Sequence, residues 1–64
     1  MSIGENLKRL REKRGLKQCT LATEVGITQA MLSQMERGTR SISLPLAKEF
    51  SEILGCSVED FYKN

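Results

Sequence analysis

The chain has 64 residues, 39% of them hydrophobic and 28% charged, with a formal net charge of +2. That length predicts one small domain over residues 1–64, with neither a catalytic-sized cleft nor a separate effector domain expected. So short a chain buries only about 60% of its unfolded surface, so added support such as dimerisation would help it.

The charge is unevenly spread. Residues 1–40 carry eight Lys/Arg against four acids, a balance of +4, while residues 41–64 carry two against four, a balance of −2. A basic half is what an anionic partner requires. The run LKRLREKR also reads as an ordinary solvated helix face, and both readings stay open. Histidine is absent. No paired carboxylates and no nucleophile–base set emerge, so an enzyme is not expected. Cys19 and Cys56 lie 37 residues apart with no CxxC. That spacing argues against zinc and gives no disulfide framework, while a redox role for either thiol stays open. There is no signal-peptide core, and no apolar run approaches the ~20 residues of a membrane span. The expectation is a reduced cytoplasmic setting with no membrane, metal, cofactor or small-molecule ligand.

In chain order, the first predicted helix opens at Ser2, with Glu5 three residues on in a capping-box pattern. Ile3, Leu7 and Leu10 follow at helical spacing, and Gly15 ends the helix after Lys13 and Arg14, cations suited to a helix C-terminus. The second helix is expected over about 18–25 and the third over about 29–37, with Thr28 as its N-cap. Between them Gly26 can take positive φ at the corner, and Ala22 allows the two helices to approach closely. Leu21, Val25, Ile27, Leu32 and Met35 supply the apolar faces, which suits two short helices crossing steeply through a tight turn. Gln29, Ala30, Ser33 and Gln34 then look outward.

Gly38 stops the third helix, and a polar loop follows. The fourth helix begins near Ser43–Pro45, with proline in its first turn, and ends at Gly55. Leu44, Ala47, Ser51 and Leu54 are expected to form its inward stripe. Leu46 and Ile53 lie about 100° away, with Phe50 between, as a second apolar stripe that needs covering. Ser57 caps a short fifth helix, with Asp60 at its third position and Val58 and Phe61 as its apolar pair. The fold expected is therefore all-α, a compact five-helix bundle.

These residues resemble the helix-turn-helix domain of the lambdoid phage repressor and Cro class, the XRE family. The resemblance runs over nearly the whole chain, on LKRLREKRGLKQ, LATEVGITQAMLSQMERG and SLPLAKEFSEILGCSVEDF. It implies double-stranded DNA binding with the third helix in the major groove. It implies that Gln18 touches a phosphate and braces the third helix, that Gln29 reads adenine, and that Ala30 and Gln34 face neighbouring base pairs. It also implies an ion pair between Arg11 and Glu36, and a loop with Arg37, Thr39 and Arg40 along the DNA backbone. Dimerisation through the last two helices is common in the family, which places Leu46, Ile53, Cys56, Phe61 and Tyr62 near a candidate seam. Core packing is the other reading of those five.

The chemistry agrees with the resemblance. A glutamine amide can donate to N7 and accept from N6 of adenine, a match worth about 1–3 kcal/mol of discrimination. Ser33 lies on the same outward face, and the methyl of Ala30 suits a thymine methyl. Lys17, Gln18, Thr28, Arg37, Thr39 and Arg40 are the candidate backbone contacts, which set affinity and register. Lys8 and Lys13 read equally as solvated. Lys17 departs from the family pattern, where Thr, Ser or Asn caps the second helix. Lysine cannot accept the cap bond and opposes the helix dipole. The sequence thus points to a sequence-specific transcriptional regulator, most simply a repressor, acting as a homodimer on a roughly palindromic operator. The competing reading is a protein-interaction module, such as an antitoxin-like partner on the same fold.

Overall fold

The computed structural model describes residues 3–62. Its elements are α1 (Ile3–Lys13), α2 (Gln18–Val25), α3 (Gln29–Arg37), α4 (Leu44–Leu54) and a single 3-10 turn, Val58–Phe61. The architecture is all-helical, with four α-helices where five were expected. The last segment closes as a 3-10 turn through local contacts and one distant one. Its bonds, Asp60 N to Ser57 O and Tyr62 N to Glu59 O, span three residues. The Asp60 carboxylate accepts from the Ser57 amide at 3.0 Å. The Phe61 carbonyl is occupied sideways, accepting from the Asn6 side chain at 2.7 Å. The expected cap at Ser2 lies outside the described residues.

The core collects Leu7 from α1, Leu21 and Ala22 from α2, Leu32 and Met35 from α3, Ala47, Phe50 and Leu54 from α4, and Phe61 from the 3-10 turn. Each fully buried Leu or Phe contributes about 1.5–3 kcal/mol of transfer free energy. On α4 the buried row is Ala47, Phe50, Ser51 and Leu54, at helical spacing. Leu44, expected inward, is 66% exposed. It is the first residue of α4, nearly two turns before Phe50 and Ser51, so only the later turns meet the core. Phe50, placed between the two stripes by sequence, is fully buried.

The α2–α3 corner follows from Gly26. Its φ of 79° is left-handed, and the bonds Gly26 N to Thr23 O and Ile27 N to Ala22 O close the end of α2. Gly4 does something different. A Cβ there would lie 2.1 Å from the Met35 carbonyl oxygen and 2.8 Å from that of Glu36. The backbone of α1 therefore rests directly on the last turns of α3, an approach that glycine alone allows. Arg14, expected to serve the end of α1, instead donates to the Leu54 carbonyl at 3.3 Å and satisfies the end of α4. Among the described residues, no helix is long and apolar enough to cross a membrane.

Candidate nucleic-acid interface

The outward side of α3 is built from its own periodicity. Leu32, Met35 and Glu36 turn inward, which leaves Gln29 and Ala30 exposed and Ser33 and Gln34 half-buried. Thr28 starts the helix, its hydroxyl accepting from the Met31 amide at 3.1 Å. Lys17 starts α2 with an extended backbone and no side-chain cap bond. The first amides of α2 thus keep their partial positive charge beside an exposed cation.

A chain of polar contacts links the interior to this surface. Arg11 Nε donates to Glu36 Oε2 at 2.7 Å, and Arg11 Nη2 to Glu36 Oε1 at 3.2 Å. Both residues are buried, Arg11 at 8% and Glu36 at 5% exposure. A third guanidinium bond, Nη1 to the Leu16 carbonyl at 2.7 Å, completes the pairing that a buried charge needs. Gln18 Nε2 then donates to Glu36 Oε1 at 2.8 Å. An ionised carboxylate only accepts, so the Gln18 nitrogen must face it and the oxygen turns away. That oxygen receives Gln29 Nε2 at 3.5 Å, at the outer limit of a bond. The family resemblance implied the Arg11–Glu36 pair and a Gln18 that braces α3, but it did not link Gln18 to Glu36. A glutamine opening a helix, with a glutamate eighteen positions later, carries no periodic signal.

The loop after α3 folds back on it. Thr39 N and Thr39 Oγ1 both donate to the Gln34 carbonyl, at 2.9 and 3.1 Å. Arg40 Nε donates to Gln34 Oε1 at 2.8 Å. Arg37, Thr39 and Arg40 are exposed, as are Lys8 and Lys13 on α1.

The residues read as a candidate seam separate. Phe61 is 1% exposed and belongs to the core. Of the two readings left open for Phe61, seam or core packing, its burial supports the core: the Asn6–Phe61 bond and the packing under α4 hold it inward. Leu46, Ile53 and Cys56 are half-buried and pack against the core, and Tyr62 is 51% exposed. Burial pushes the Cys56 thiol pKa up, the charge of Asp60 adds to that, and Arg14 opposes it. The thiol form is therefore favoured, which lowers its reactivity. Cys19 is exposed, and both cysteines are free. Sequence reasoning also missed Asn6, fully buried and bonded to the 3-10 turn. Nothing in a polar residue at an apolar position announces such a partner.

The geometry has counterparts among known proteins. The helix-turn-helix family HTH_3 matches residues 7–61. The uncharacterized HTH-type transcriptional regulator y4dJ of Sinorhizobium fredii (strain NBRC 101917 / NGR234) is 36% identical over 55 residues, covering 86% of this chain and 71% of that protein. The restriction-modification controller protein C.AhdI from Aeromonas hydrophila superposes with a TM-score of 0.86 at 30% identity, over 92% of this chain and 89% of that one. The DNA-binding domain of the P22 c2 repressor gives a TM-score of 0.92 at 26% identity, over 100% of this chain and 84% of that one. With its two crossing helices, its capped third helix and this match from Leu7 to Phe61, the chain belongs to the helix-turn-helix (XRE) family of repressor-like DNA-binding domains.

Proposed function

We propose that this chain is a sequence-specific, double-stranded-DNA-binding transcriptional repressor that inserts α3 into the major groove and acts as a homodimer on a roughly palindromic operator. The observation that carries the reading is the amide pair Gln18–Gln29, held on an exposed helix start by the buried Glu36. With one N–H directed at Gln18, Gln29 keeps its amide oxygen and second N–H for adenine, whose major-groove edge offers one acceptor and one donor. Ala30, Ser33 and Gln34 continue the reading surface along α3. Lys17, Gln18 and Thr28 at the two helix starts, with Arg37, Thr39 and Arg40 after α3, take phosphates and fix register. The likeness to a repressor's DNA-binding domain supports the same conclusion.

Two copies would set two recognition helices about 34 Å apart on one face of the duplex. Leu46, Ile53, Cys56 and Tyr62 on the α4 side form the proposed seam, with Phe61 behind them as core. The test is selection from random duplex DNA followed by titration at two salt concentrations. The reading requires a preferred site with two related halves. It also requires a log–log salt slope that becomes steeper by about 0.9 per phosphate engaged. Binding indifferent to both sequence and salt would favour the protein-interaction module instead.

A further inference from the structure

We infer that Arg40 is a specificity-determining residue: it turns the N–H groups of Gln34 outward, so that the two reading glutamines of α3 select different bases. This rests on the major-groove placement of α3 proposed above. Arg40 Nε sits 2.8 Å from Gln34 Oε1. A guanidinium has no acceptor, so the amide oxygen has to face it and the nitrogen turns away. The loop is held in that position. Gly38 ends α3 at φ 83°, and the Thr39 amide and hydroxyl both close on the Gln34 carbonyl. Arg40 therefore follows from a chain path fixed two residues earlier and bonds the same residue that Thr39 binds.

The consequence is one of hydrogen-bond polarity. Gln29 uses one N–H toward Gln18 and keeps an acceptor and a donor, the mixed edge that adenine matches. Gln34 has its oxygen turned toward Arg40, with one lone pair engaged, and so leads with its N–H groups. In the major groove guanine presents two acceptors, O6 and N7, and thymine one, O4, whereas adenine pairs an acceptor with a donor and cytosine presents a donor alone. A braced Gln34 thus favours guanine with its two acceptors over thymine with one, disfavours adenine and rejects cytosine. The other N–H groups of Arg40 are left for a phosphate, so bracing Gln34 and holding the backbone are compatible.

Selection from a random duplex pool tests this with the wild type, Gln34→Ala, Arg40→Ala and Arg37→Ala. Gln34→Ala identifies the base pair facing residue 34 by erasing its preference. At that pair the wild type is expected to select guanine over adenine by about tenfold, the effect of one good base-edge match. Arg40→Ala is expected to reduce that ratio at least threefold while leaving the pair read by Gln29 unchanged. Arg37→Ala is expected to weaken binding evenly at every position. In the free protein, the Arg40 Nε–H resonance is expected to shift on Gln34→Ala. A preference at the residue-34 pair that survives Arg40→Ala, or adenine selected there by the wild type, overturns the inference and leaves the function standing. A pool that returns no preferred sequence anywhere overturns both.

Discussion

Helices α2 and α3 leave nearly the same backbone and are anchored differently. Lys17 before α2 has φ −81° and ψ 156°, and Thr28 before α3 has φ −80° and ψ 157°. At Thr28 the hydroxyl accepts from Met31 N and the helix start is satisfied locally. At Lys17 no side chain caps the helix, and the next residue, Gln18, is tied to Glu36 in the interior instead. The backbone conformation of a cap thus forms with or without the capping atom. Tertiary contact substitutes for the missing bond, which leaves the α2 amides and a cation for phosphate.

That contrast can be broken most severely at its buried anchor. Glu36→Ala strands the Arg11 guanidinium and releases Gln18, and should cost about 3–5 kcal/mol in urea unfolding. A loss below 1 kcal/mol would mean that α2 is held by apolar packing alone. Next in size is the contact of α1 on the far end of α3. Gly4→Ala forces a methyl against the Met35 and Glu36 carbonyls, and should cost at least about 1–3 kcal/mol by the same measurement.

The two helix starts give the smaller effects. Thr28→Ala removes a local cap and should destabilise by about 1 kcal/mol. Lys17→Ser supplies the cap that α2 lacks and should stabilise by about 0.5–1 kcal/mol. It should also weaken DNA binding and reduce the salt slope by about 1. Opposite signs for stability and affinity in this last variant would establish that the uncapped start serves the ligand. Unchanged affinity would assign Lys17 to solvent.

Much of this was legible in sequence because it is local. The bounds of α2 and α3 follow from glycine, the Thr28 cap and apolar spacing, all within a few residues of each other. Leu44 misled because periodicity says which side of a helix a residue occupies and not which turn meets the core. The fifth helix misled because cap and apolar pair are as consistent with one 3-10 turn as with a short α-helix. The amide polarities of Gln18 and Gln34 were not legible at all. They depend on which charged group each meets, Glu36 across the fold or Arg40 after a fixed turn.

The outer amides of α3 as base readers are the centre of the account, and one titration tests them most directly. The duplex selected by the wild type, and copies changed at single base pairs, are titrated with wild type and with the Gln29→Ala, Gln34→Ala double variant. The account predicts an unfolding midpoint close to that of the wild type and a fall of roughly tenfold or more in discrimination at the two read pairs. A folded double variant that still distinguishes those pairs as the wild type does would contradict it.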